Sequence, residues 1–124
     1  MLSAAGQETE SGAIAWLVAE VPELRVLLDE HLEDNHGELL PYLVFEGAFV
    51  RWFADQVRRG DRELARRFVD AVEPLMATEA ERPADDRVRN LAAVCFAEGL
   101  RGEDVVDVAR PWMGPNTLNA FGLG

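Results

Sequence analysis

The sequence contains no lysine, and all 12 of its basic residues are arginine. It has a single cysteine, Cys95, which can form no internal disulfide and whose apolar neighbours indicate a buried position. No apolar run approaches the roughly 18 residues that span a bilayer. The first residues lack the basic start and long apolar stretch of a secretory signal. We therefore expect a cytoplasmic protein.

Catalytic signatures are missing as well. The sequence has no Gly-rich phosphate loop, no Gly-x-Ser-x-Gly elbow and no His-Glu-x-x-His motif. Its two serines, Ser3 and Ser11, lie near the N-terminus, which argues against a Ser-His-Asp relay. Carboxylates are abundant, but no pair stands out as an acid and a base in different environments. We predict that the chain is not an enzyme and uses no cofactor.

The charge balance is strongly acidic, with 23 acidic and 12 basic residues and a formal net charge of −11. A protein of this sign is repelled by nucleic acid and by anionic membranes, whereas it attracts basic proteins. We therefore expect a protein partner, and neither nucleic acid nor membrane. Five arginines form a local exception, which we expect to be neutralised by carboxylates of the same helices: Arg58, Arg59, Arg62, Arg66 and Arg67, with Asp55, Asp61, Glu63 and Asp70.

Hydrophobic residues recur at three- and four-residue steps almost throughout, as in amphipathic helices. Helices are predicted at about 9–20, 22–34, 41–59, 62–80, 83–98 and 103–110, with a final turn from Gly114 through Leu118 and Phe121. Short connections favour antiparallel neighbours. The predicted fold is all-α: one domain over residues 1–124, with 1–8 flexible, forming a compact bundle or a stack of helical hairpins with five to six helices.

Several helix ends carry recognisable signals. Asn35, Gly37 and Gly60 are typical stop residues, and Asp61 can cap the helix that follows. Pro74 lies inside the fourth helical pattern, so a kink or a break is expected near residues 70–73. Pro83 and Asp85 should open the fifth helix. Glu103 and Asp104 should begin the sixth helix, where negative charge is stabilising, and Pro111 should end it.

Residues 29–38 form the densest polar segment, with five carboxylates and two histidines and no basic residue. His31 and His36 are five residues apart, which places them about 140° apart on a helix. Zinc sites favour two histidines on one helix face, and the carboxylate spacing does not match a calcium-binding loop. We predict no metal site here.

The same segment can be interpreted as a surface for a basic partner. Like charges near a helix C-terminus oppose the helix dipole and repel one another, so they do not serve the fold. A solvated helix end without a function explains them equally well. The predicted partner-binding residues are Asp29, Glu30, Glu33, Asp34 and Glu38, with Asp104 and Asp107 as secondary members.

Three stretches together resemble a known family. They are Pro22-Glu23-Leu24 with residues 30–34, Gly37-Glu38-Leu39-Leu40-Pro41 with residues 45–47 and 51–52, and residues 88–91 through 95–100, followed by Met113-Gly114-Pro115. This pattern is similar to a bacterial family of small helical domains of unknown function, found among candidate immunity proteins of polymorphic toxin systems. The resemblance implies a helical fold and toxin neutralisation, and it carries no catalytic residues.

Three hypotheses follow. The first is a non-catalytic protein-binding domain, an immunity protein that neutralises a basic toxin domain through its acidic surface. The second is a structural or scaffold domain with no toxin partner, in one version a homodimer, whose charge only keeps it soluble. A broad exposed apolar face around Phe45, Phe49 and Trp112 would favour it. The third is a metal protein or enzyme that uses His31, His36 and nearby carboxylates.

Overall fold

The computed structural model describes residues 9–77, 86–101 and 103–123, and within these ranges the chain forms helices and turns and no strand. The predicted all-α class is therefore confirmed. The α-helices are α1 (Glu10–Glu20), α2 (Arg25–Asp34), α3 (Pro41–Val44), α4 (Arg51–Arg59), α5 (Arg62–Val72), α6 (Arg87–Ala92), α7 (Val105–Ala109) and α8 (Pro115–Ala120). They are extended by 3₁₀ turns at Pro22–Leu24, Glu73–Met76 and Arg110–Trp112, by a first π turn at Phe45–Val50 and by a second π turn at Ala93–Glu98.

The capping signals in the sequence mark the helix ends that the structure shows. Thr9 caps α1 by accepting a hydrogen bond from the Gly12 amide at 2.9 Å. Gly60 ends α4 with a φ of +80°, a left-handed conformation that glycine adopts without steric cost. Asp61 then caps α5 by accepting from the Leu64 amide at 3.2 Å. Local side-chain chemistry is sufficient for these boundaries.

The fourth predicted helix changes character where Pro74 enters it. The α-helix ends at Val72, and the chain continues as a 3₁₀ turn through Met76. Proline lacks an amide donor, and its ring crowds the carbonyl four residues earlier, so regular α-geometry cannot continue. Ala77 lies outside the helix, which corrects the predicted end at residue 80.

The fifth and sixth helices differ from their predicted starts. Pro83 and Asp85, the predicted start of the fifth helix, lie outside the described residues, and the described part is capped by Asp86. The sixth helix, α7, begins at Val105, so Glu103 and Asp104 precede it instead of forming its first turn. Asp104 occupies the cap position, yet its side chain accepts no backbone hydrogen bond there.

An aromatic core lies along the long helix of residues 41–59, in which α3, the first π turn and α4 follow one another without a break. Phe45, Phe49 and Phe53 of this helix are fully buried. The ring centroid of Phe53 lies 5.3 Å from that of Phe68 in α5 and 5.2 Å from that of Phe96 in the second π turn. Edge-to-face and offset ring pairs of this kind add to the stabilisation that burial provides.

The broad exposed apolar face around Phe45, Phe49 and Trp112 that would favour a scaffold dimer is not present. Phe45 and Phe49 have no exposed surface, because the long helix turns them into the core. Trp112 is half-buried and packs against the core cluster. None of the described helices has the length and hydropathy needed to cross a bilayer.

The C-terminal helix α8 packs against the core, and one carboxylate from a distant part of the chain caps it. Glu73, in the 3₁₀ turn after α5, accepts hydrogen bonds from the Asn116 amide at 2.9 Å and from the Thr117 amide at 3.0 Å. It also accepts from the buried Thr117 hydroxyl at 2.7 Å. No side chain of α8 itself caps its first turn, so Glu73 provides that cap from a distant part of the chain.

Candidate functional site

The five main acidic residues of the prediction share one end of α2 and the loop after it. Their side chains are exposed: Asp29, Glu30, Glu33, Asp34 and Glu38, which we call the acidic surface. The pairs Asp29–Glu33 and Glu30–Asp34 are four residues apart on the helix, a spacing at which like charges repel. Within the described part of the chain, no basic side chain lies within salt-bridge distance of these carboxylates.

His31 lies beside these carboxylates but has a structural role. Its side chain is 7% exposed, and its Nε2 accepts a hydrogen bond from the Leu40 amide at 3.0 Å. Asn35 at the end of α2 donates to the His31 carbonyl at 2.8 Å. These bonds hold the loop of residues 35–40 against the helix and give Glu38 a defined position. The interpretation of this segment as a wholly solvated helix end is therefore wrong for His31.

His36 does not join His31 in a common site. It is exposed, with a φ of 56°, and lies in the loop that His31 fastens. Among the described residues, no group of three or more His, Cys, Asp or Glu side chains is arranged to hold a metal ion.

The secondary acidic residues Asp104 and Asp107 lie elsewhere on the fold. Both are exposed, and the helix that follows Asp104, α7, packs against α4, whereas α2 packs against α3. Asp104 forms an ion pair with Arg58 at 3.5 Å. This exposed pair offsets part of the Asp104 charge, so Asp104 is less available to a basic partner than the carboxylates of α2.

The arginine cluster uses partners from other elements. Arg58 pairs with Asp104, and Arg67 contacts both oxygens of Glu23 at 3.2 and 3.3 Å. The expectation that these two arginines pair with carboxylates of their own helices is therefore wrong. The packing brings other elements next to α4 and α5, and Asp61 is already engaged as a helix cap.

The sequence reasoning missed a cleft at the junction of the two π turns. Its volume is about 450 Å³, and we call it the π cleft. One wall is the long helix, with Glu46, Gly47, Val50, Arg51, Ala54, Asp55 and Arg58, and the other wall is Gly99, Leu100 and Glu103. The available signal was Gly47, a glycine inside a strongly apolar helical pattern.

Cys95, in the second π turn, is buried against the long helix. It has no exposed surface, and its thiol donates a hydrogen bond to the Tyr42 carbonyl oxygen, with an S···O distance of 3.7 Å. Burial raises the pKa of the Cys95 thiol from 9.0 to about 12, and the negative charge of Glu46 contributes in the same direction. Cys95 is thus a core residue, as predicted, and its thiol stays protonated at neutral pH, whereas the thiolate is the nucleophilic form.

The raised pKa of Cys95 predicts a loss of stability at alkaline pH. Above pH 9 the unfolded chain releases the thiol proton while the folded chain keeps it, so the free energy of unfolding falls as the pH rises towards 12. The Cys95 contribution should reach up to about 2 kcal/mol by pH 10.5. Urea denaturation at several pH values, on the wild type and on Cys95→Ala, measures it.

The variant Cys95→Ala should show a shallower decline above pH 9. A residual slope is expected because burial and the charge of Glu10 also raise the pKa of Tyr42. Equal slopes for the variant and the wild type between pH 9 and 11 would show that the thiol does not contribute.

The fold and its surface define a class: an all-α domain with one aromatic core, a carboxylate-rich helix end and a charged cleft beside the first π turn. The model of a family described as a domain of unknown function, DUF7674, matches residues 14–122. The chain belongs to this family, and the match extends from α1 to the residues just after α8. Neither a curated protein nor a solved structure matches this chain.

Proposed function

We propose that this domain is a non-catalytic binding protein that neutralises a basic toxin domain through the acidic surface at the end of α2. The observation that carries this proposal is a set of exposed carboxylates for which the described part of the chain supplies no cation. Such a cluster raises the electrostatic energy of the isolated domain, and a basic partner would relieve it.

The mechanism is attraction followed by close docking. A surface of one sign steers an oppositely charged protein and speeds its association, in a manner that salt screens. The His31 and Asn35 hydrogen bonds keep the loop of residues 35–40 in place before the partner arrives. The loop then loses less conformational entropy on binding, which favours affinity.

The toxin is the partner class suggested by the sequence resemblance to candidate immunity proteins. Many cytotoxic domains act on nucleic acid and carry a basic surface for the phosphate backbone, which is the charge that the acidic surface would meet. By covering such a surface, the domain would block the toxin without any chemistry of its own.

The triple variant Glu30→Gln/Glu33→Gln/Asp34→Asn tests this proposal. We expect its association rate with a basic toxin domain that binds the wild-type chain to fall by about tenfold or more at low salt, with a weaker salt dependence. Stopped-flow fluorescence measures the rate. The folded state should be unaffected, because these side chains are exposed.

A matched control removes three exposed carboxylates outside the acidic surface: Glu20→Gln/Glu63→Gln/Asp70→Asn. Both variants change the net charge by the same amount, so the control should retain most of the association rate. An unchanged rate in the first variant, or an equal decrease in both, would show that the acidic surface is not the docking site.

A further inference from the structure

The π cleft lies between the long helix, which contains the first π turn, and the residues that follow the second π turn. The first π turn supplies Gly47 and Val50, and the second π turn ends next to Gly99 and Leu100. A π turn is rare in proteins, and it is frequently found at functional sites. Here two such turns are packed together; the first lines the cleft, and the residues directly after the second form the opposite wall.

The shape of the cleft suits the side chains of a ligand. Its volume of about 450 Å³ falls within the range of roughly 300–1,000 Å³ typical of ligand sites. Val50, Ala54 and Leu100 form a small apolar floor, each at most 6% exposed. Gly99 lies close to the opposite wall, since a Cβ at this position would be in van der Waals contact with the Glu46 Cγ at 3.6 Å.

The rim of the cleft selects the charge of the ligand. It carries the carboxylates of Glu46, Asp55 and Glu103 and the guanidinium groups of Arg51 and Arg58. Arg58 is engaged by Asp104, an additional carboxylate outside the lining. Three lining carboxylates therefore face one uncommitted guanidinium group, and this excess favours a cation over an anion.

We infer that the π cleft is a second contact site for the partner of the proposed function, and that it receives an arginine or lysine side chain with an apolar neighbour. This inference rests on the proposed function for the identity of the partner. The cation lies among Glu46, Asp55 and Glu103, and the apolar neighbour covers the floor. The acidic surface governs the encounter, and the cleft provides the partly desolvated contact that slows dissociation.

The direct test titrates the ¹⁵N-labelled full chain with acetyl-leucyl-arginine amide and follows the amide signals of Gly47 and Gly99. We expect saturable shifts with a millimolar dissociation constant. The matched probe contains citrulline, a neutral isostere of arginine, and should bind about tenfold more weakly. Equal binding of the two probes, or shifts that spare both glycines, would overturn the inference.

A pair of variants separates the cleft from general charge. Glu46→Gln/Glu103→Gln should weaken binding of the arginine probe by about tenfold, whereas Glu20→Gln/Glu63→Gln, with the same change of net charge and outside both proposed contact sites, should leave it within about twofold. If both double variants weaken binding equally, the cleft is not the site. All four carboxylates are exposed, so folding should be preserved.

The probe experiment needs no partner protein, so its failure is distinct from a failure of the proposed function. In the complex with the toxin domain, the cleft variant Glu46→Gln/Glu103→Gln should raise the dissociation rate by about tenfold. An unchanged dissociation rate would remove the cleft from the interface even if the acidic surface passes its own test.

Discussion

Phe68→Ala is expected to lower the free energy of unfolding by about 3–5 kcal/mol, a large part of the 5–15 kcal/mol typical of a domain. Phe68 has no exposed surface and touches rings from three other segments: Phe45 at 6.4 Å, Trp52 at 6.1 Å, Phe53 at 5.3 Å and Phe96 at 5.6 Å. Its removal leaves a cavity between elements that cannot all close in on it. Urea denaturation followed by circular dichroism measures the loss.

Phe121→Ala is the matched control, because it removes the same side chain at the edge of the core. Phe121 is half-buried and has one ring partner in the described aromatic set, Phe96 at 5.7 Å. We expect a loss of about 1–2 kcal/mol, since part of the ring is already solvated and the site can relax. A loss at Phe121 equal to that at Phe68 would contradict the central place of Phe68 in the core.

Gly114→Ala is expected to destabilise the domain by about 2–4 kcal/mol, although it adds only one methyl group. A Cβ at this position would lie 2.6 and 2.7 Å from the two carboxylate oxygens of Glu73. The carboxylate can move away only by giving up its hydrogen bonds to Asn116 and Thr117. The buried Thr117 hydroxyl and the first turn of α8 would then lack an acceptor.

A double-mutant cycle isolates this mechanism. Glu73→Ala alone should cost about 2–4 kcal/mol, because it leaves the same donors without a partner. In the Glu73→Ala background, Gly114→Ala has nothing to displace and should cost less than about 1 kcal/mol. Additive effects of the two substitutions, measured by chemical denaturation, would show that the Gly114 position does not act through the Glu73 carboxylate.

The helices were predictable where the signal is local. The spacing of apolar residues from Tyr42 to Val57 indicates one long helix, and the structure has a continuous helical segment over residues 41–59. Gly60 and Asp61 mark its end and the next beginning because each acts on backbone groups within a few residues. The end of the α-helix near Pro74 was predictable for the same reason, because the backbone N–H that the helix needs is absent from Pro74 itself.

The candidate site was predictable only in part. Exposure of Asp29, Glu30, Glu33 and Asp34 follows from charge, because burial of an unpaired carboxylate is too costly. His31, in the same polar run, is buried because the loop returns to it and the Leu40 amide needs an acceptor. That contact depends on a chain reversal, and the helical spacing of residues 29–38 contains no information on it.

The pairing of charges lay beyond sequence reasoning for a related cause. Arg67 pairs with Glu23, which is 44 residues away in the sequence, and Arg58 pairs with Asp104 across the interface of α4 and α7. Carboxylates close in sequence were the natural candidates, yet an ion pair needs only proximity in space. The packing of the helices decides which charged side chains come close enough to pair.

Composition and periodicity were enough for an all-α domain with a surplus of exposed carboxylates, because helix formation and burial respond to neighbours within one or two turns. The two π turns, the cleft between them and the Glu73 anchor of α8 came from contacts between distant segments. Each needs two stretches of chain that are far apart in sequence to meet in one geometry. The energy that selects such a geometry is a property of the whole packed core.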